Sequence, residues 1–255
     1  MSLKTEETEV SSVFLRRGAY TLGRGGGNVI GRLEFVPGGR GRGELVSLYG
    51  LPVLQTRADP EGRFGEHRVR RAGRVMKRGG VLRTILPAGF NQWELLERFG
   101  LRHIDPAPLL RANAPELAVE ALRGRDADPA RATVALSGGR ADGEMFRCAA
   151  ALCLRVRRVV VDAEGGEDLA FRLREMFGIP VLPREHPAQL ELCLHPGGRV
   201  RGEPRLELFG QEPELEGLKL TAPGLDEGDR EALDVLALLW ERGKLSLGEI
   251  KIHRN

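Results

Sequence analysis

Ser137, Gly138, Gly139, Arg140 and Gly143 stand together in the run ALSGGRADGE, between a short apolar stretch and a helical pattern. A glycine turn that opens a helix presents free backbone N–H groups and the positive end of the helix dipole, which is the chemistry of anion and phosphate binding. Arg140 could itself pair there with a phosphate or a carboxylate, or be held by Asp142. Asp162 closes the next apolar stretch, where a carboxylate either caps a helix or accepts hydroxyl groups from a ligand. His195 closes a third and could act as a general acid or base near neutral pH. Cys193 lies two residues before it, on the same strand face, but two further ligands for a metal are missing from the pattern and no metal is expected. Ser137 lacks the G-x-S-x-G setting of a hydrolase nucleophile. The sequence carries no G-x-x-x-x-G-K-[ST], H-E-x-x-H, zinc-ribbon or EF-hand pattern.

Gly138, Gly143 and Asp162 fall on the first glycine, the third glycine and the distal acid of G-x-G-x-x-G, so the stretch resembles the dinucleotide-binding fingerprint of Rossmann-type oxidoreductases. That resemblance implies bound NAD(P), with Gly138, Gly139, Arg140 and Gly143 at the phosphates and Asp162 on a ribose hydroxyl. The middle glycine position is Arg140. A side chain there blocks the close backbone approach that the glycine permits.

These residues must be positioned by the stretch 133–183, which reads as strand, glycine turn, helix, strand, glycine turn, helix, strand. Short apolar strands alternating with helical patterns predict a parallel sheet, because parallel neighbours need a crossover long enough to hold a helix. A strand at 189–194 would make the fourth. The strand ending at Ser137 is then expected between those ending at Asp162 and His195, and the site on the rim of their carboxyl ends. A second βαβαβ pattern starts at 51, with Val69, Ala72 and Met76 on one face of a basic helix and Trp93, Leu96 and Phe99 on a shorter one. Residues 81–106 lay over 156–183, each helix ending in Phe-Gly, which suggests an internal repeat. Before it, strands at 10–17, 29–36 and 44–49 with glycine-rich turns predict a small antiparallel meander. Helices follow at 106–122, where Asn113 and Glu116 form a capping-box pattern, and at 227–242, before an edge strand at 249–253.

The expected class is therefore α/β and Rossmann-like, with two βαβαβ units, a mostly parallel sheet and a small N-terminal β-meander. The expected divisions are a tail and meander over 1–50, a first unit and helical linker over 51–125, and a second unit with a C-terminal helix over 126–255. The three cysteines cannot all pair within 255 residues, no apolar run approaches a membrane span of about 20 residues, and the first residues are acidic and polar. A cytoplasmic protein without a membrane segment is expected. Only five of the 39 basic residues are Lys, and the arginines are spread along the chain with acidic neighbours, which is not the clustered footprint of a nucleic-acid surface.

Three functions follow from these features. The first is a Rossmann-like scaffold for a small molecule or a protein partner, its cofactor site decayed and no catalytic motif left. The second is an oxidoreductase or transferase using a nucleotide cofactor at Gly138–Gly143, Asp162 and His195. The third is an RNA-binding accessory protein using the arginine-rich turns, Arg40 and Arg42 among them.

Overall fold

The computed structural model describes residues 29–178, 181–182, 184–197, 202–210 and 212–254. The strand expected at 10–17 and the first glycine-rich turn lie outside them. The chain divides into two compact units, one ending at Ile104 and the next starting at Asp105.

The first unit runs β1 (Ile30–Phe35), β2 (Arg40–Leu48), β3 (Leu51–Ala58), α1 (Gly65–Arg78), β4 (Arg83–Ile85), α2 (Trp93–Glu97) and β5 (Arg102–His103). Its sheet has the order β2-β3-β1-β4-β5, parallel except for β2, which pairs antiparallel with β3. The separate meander is thereby corrected: β1 is a parallel strand in the middle of the sheet, and no division falls at residue 50. The glycine-rich turn between β1 and β2 was expected to make a hairpin, but the hairpin of this unit is at Tyr49-Gly50, between β2 and β3. The expected turn, Val36 to Gly39, instead carries the chain across the end of β3, with Val36 N–H donating to Ala58 O at 3.0 Å and Asp59 N–H to Gly39 O at 3.1 Å. Gly39 is required for that crossing, since a Cβ would lie 2.9 Å from the Ala58 carbonyl carbon. The apolar face of α1 is the expected one: Val69, Ala72 and Met76 are fully buried, packed with Leu33, Leu96 and Leu101.

The second unit runs α3 (Ala107–Ala112), α4 (Ala114–Arg123), β6 (Thr133–Arg140), α5 (Gly143–Leu152), β7 (Arg158–Glu164), α6 (Gly166–Phe177), β8 (Val181–Leu182), β9 (Leu190–Cys193), β10 (Arg205–Glu207), β11 (Leu218–Thr221), α7 (Leu233–Glu241) and β12 (Lys251–Arg254). Its main sheet is entirely parallel, with the order β10-β9-β6-β7-β8. Numbered along the chain from β6, that is the 3-2-1-4-5 order of a doubly wound Rossmann-type sheet. The expected α/β, Rossmann-like class is observed. The apolar strand cores explain it: Val134, Ala135, Leu136, Val159, Val160 and Leu192 are all fully buried, as strands covered on both faces must be.

The helical linker belongs to this unit, because α4 packs on β9 and on the two-stranded antiparallel sheet of β11 and β12. The expected division at 125 therefore falls inside a compact unit. Asn113 also differs from expectation: its side chain donates to Leu109 O at 3.0 Å, closing α3, and makes no capping bond to α4. The C-terminal helix, α7, packs on α3. Residues 81–106 and 156–183 do take the same local form, β4-α2-β5 and β7-α6-β8. What precedes them differs, since β1 lies between β3 and β4 whereas β6 and β7 are neighbours.

Candidate functional site

β6 lies between β7 and β9, so the strand order reverses at its carboxyl end. In the register there, Ser137 sits beside Asp162 on one side and Cys193 on the other. Ser137 is buried and donates to Glu191 Oε1 at 2.5 Å. Glu191 has no exposed surface. It also accepts from Gly202 N–H at 3.3 Å and lies 3.5 Å from the Arg205 guanidinium. Arg205 donates to Cys193 Sγ at 3.1 Å, while the Cys193 thiol donates to His195 O at 3.2 Å. Ser137 and Cys193 thus belong to an internal polar network that binds β6, β9 and β10 together, and neither faces solvent.

Above that network, His195 Nε2 lies 3.0 Å from Asp142 Oδ2. Asp142 caps α5, its Oδ1 accepting from Met145 N–H at 2.8 Å. Partial burial pushes the Asp142 carboxyl up, but the Met145 hydrogen bond and His195 outweigh it and hold the group below the ordinary value of 3.8. Glu144, in the first turn of the same helix, is paired with Arg111 at 2.5 Å. Ligand atoms of Asp142, Glu144 and His195 come within 4.8 Å of one another, a spacing that a cation could bridge. The donor set argues against one. Asp142 already accepts two hydrogen bonds, Arg111 supplies the positive charge at Glu144, and the positive end of α5 repels a cation.

A dinucleotide does not fit the turn. The fingerprint needs a tight turn directly after the strand, but here the pairing of β6 with β7 shifts register at Gly138-Gly139 and then resumes, with Arg140 beside Glu164 and Ala141 N–H donating to Glu164 O at 2.8 Å. The space where a backbone would approach a pyrophosphate is taken by the segment after β9. A Cβ on Gly138 would meet His195 Cβ at 3.4 Å and Met145 Cε at 3.2 Å, and one on Gly139 would meet Pro196 O at 3.2 Å. Gly143, by contrast, has room for a side chain, its nearest neighbour being an Arg147 nitrogen at 3.7 Å. The close packing of helix on strand that requires the third glycine is absent.

Open space lies one strand over. A cleft of about 460 Å³ is bounded by the β6-α5 and β7-α6 connections, with Phe146 and Leu169 as its apolar wall and Arg140, Asp142, Glu164, Asp168 and Arg172 around it. The Arg172 guanidinium stands 5.0 Å over the Phe146 ring. Of the residues singled out in sequence, Arg140 and Gly143 line this cleft, while Gly138, Gly139 and His195 pack beside it. Asp162 does not line it. Glu164, the last residue of β7, takes the place expected of Asp162, because β7 runs three residues past its apolar run Val159 to Val161. Phe146, Asp168, Leu169 and Arg172 were missed. The available signal was the acid-to-base spacing of four from Asp168 to Arg172, which reads equally as an ordinary surface pair. Arg40 and Arg42 are exposed on the edge strand β2 of the other unit. Among the described residues no helix is long and apolar enough to cross a membrane.

No protein-family model matches the chain, and no curated protein matches it in sequence. Among solved structures it is similar to the L-tryptophan dehydrogenase of Nostoc punctiforme, at a TM-score of 0.30 and 14% identity over 66% of this chain. The chain spans 56% of that protein.

Proposed function

We propose that the second unit is a ligand-binding module of Rossmann-like fold whose seat is the cleft between the β6-α5 and β7-α6 connections, and that it does not hold a dinucleotide. The observation that carries this reading is the filled turn: His195-Pro196-Gly197 lies against Gly138 and Gly139 where a pyrophosphate would need open backbone, while the neighbouring cleft stays open. Its volume lies within the roughly 300–1,000 Å³ range typical of small-molecule pockets. The geometry offers charged and apolar contacts but no nucleophile and no assembled catalytic group beyond the Asp142–His195 pair. Binding is therefore the activity it supports best, with a small molecule as the partner.

A second reading is a nucleotide-dependent oxidoreductase or transferase, favoured by one observation. Asp142 orients His195 from 3.0 Å, as a carboxylate orients an imidazole that transfers protons. In that case His195→Gln would abolish turnover of a nucleotide-dependent substrate without changing ligand affinity.

The test is a thermal-shift screen of the full chain against amino acids, nucleotides, sugar phosphates, S-adenosylmethionine and nicotinamide cofactors. A ligand at 100 times its Kd adds about 2.7 kcal/mol of stability. A shift from a small ligand, lost in Arg172→Gln, supports the cleft as the seat. A shift that survives Arg172→Gln and is lost in Asp162→Ala contradicts it.

A further inference from the structure

Two ion pairs that the backbone sets up in this cleft are left unclosed. Arg140 and Glu164 are register partners on β6 and β7, so their side chains leave the sheet on the same face. Asp168 and Arg172 are four apart on α6 with the acid first, the favourable order for a helical pair. All four line the cleft. Among the described residues neither pair comes within the 4.0 Å of an ion pair, nor does any of the four find another charged partner. Arg172 instead stands over Phe146. Besides Asp142, which is paired with His195, the cleft therefore displays two unpaired cations and two unpaired anions, above a wall made by Phe146 and Leu169. A ligand of single charge would satisfy one set and leave the other facing it. A ligand carrying both charges close together would satisfy both.

We propose that this cleft receives a small zwitterion, an α-amino acid with an apolar or aromatic side chain. Its carboxylate meets the guanidinium groups of Arg140 and Arg172, its ammonium meets Glu164 and Asp168, and its side chain lies on Phe146 and Leu169. The inference rests on the cleft being the ligand seat, as argued above, and names the class of molecule that the seat selects.

Calorimetric titration of the full chain with L-phenylalanine, L-leucine and L-tryptophan tests it, beside phenethylamine, phenylacetate and AMP. At least one amino acid is expected to bind, with the analogues of phenylalanine that lack one charge weaker by about tenfold, the loss of about 1.4 kcal/mol. Arg172→Gln should weaken the amino acid by a similar factor and leave phenethylamine unchanged, and Glu164→Gln should do so and leave phenylacetate unchanged. Both residues are exposed, so unfolding temperatures should match the parent. No heat from any of the three amino acids at about 10 mM overturns the proposal, because so weak an affinity is no recognition. Equal binding of phenylacetate and phenylalanine overturns it in favour of a plain anion seat. If AMP binds instead, and binds less well in Arg172→Gln, the cleft stands as a seat and the zwitterion alone fails. If AMP or another compound binds with no effect of either substitution, both readings fail.

Discussion

The most consequential single residue of the second unit is Glu191, a carboxylate with no exposed surface in the middle of the sheet. Ser137, Gly202 N–H and Arg205 supply its partners. A buried charge loses several kcal/mol of hydration, so removing its cation costs more than removing the pair together. Arg205→Met is expected to lower stability by about 3–5 kcal/mol, and Glu191→Leu with Arg205→Met by clearly less, measured by urea unfolding. Equal losses in the two variants would show that Arg205 does not compensate Glu191. In the first unit the corresponding group is His103, whose ring lies 3.5 Å from that of Trp93 and whose Nε2 is buried. Burial pushes its pKa below 6.5, against a smaller upward pull from Glu97. The unfolded chain therefore takes up this proton first. Stability should fall as the pH drops below 6.5 towards the folded-state value, and His103→Gln should flatten that slope in unfolding measurements at pH 7.5 and about 5.5.

Among the elements, the turn from β6 into α5 decides, on the function proposed above, what the second unit can hold. Its two ends respond oppositely to the same change. Gly138→Ala drives a methyl towards Met145 and His195 and should cost about 1 kcal/mol or more. Gly143→Ala meets only an Arg147 nitrogen at an ordinary contact distance of 3.7 Å and gains helix propensity, so it should be neutral or stabilising by about 0.5–1 kcal/mol. A true dinucleotide turn would penalise both. The same turn shows how far a sequence can be read. The strands that flank it were legible, because Val134 to Leu136 and Val159 to Val161 are apolar runs that only a covered parallel strand explains, and strand order placed the rim correctly. The filling of the turn was not legible. It depends on His195 to Gly197 folding back from about 55 residues away, a contact that no local pattern encodes. The paired Arg140–Glu164 extension was hidden for a similar reason, since polar residues past an apolar run read as loop. In the first unit, the crossing of β3 by Val36 to Gly39 imitates a hairpin turn, because both need glycine where the backbone passes closely.

At the scale of the whole chain, two compact units each place a parallel strand at the centre of a sheet, and the second has the full Rossmann-type strand order. The polar groups at the carboxyl edge of that sheet separate into two layers, and of the cofactor candidates read in sequence only Arg140 falls among them. Ser137, Cys193, Glu191 and Arg205 hold the sheet together from inside, and Arg140, Glu164, Asp168 and Arg172 stand at the open cleft. The most direct measurement is a calorimetric titration of the full chain with NADH and NADPH, repeated with Asp162→Ala. No binding at about 1 mM cofactor is the expected result, since the covered glycines offer no phosphate seat. Binding at micromolar Kd, lost in Asp162→Ala, would contradict the account and restore the dinucleotide site to the β6-α5 turn.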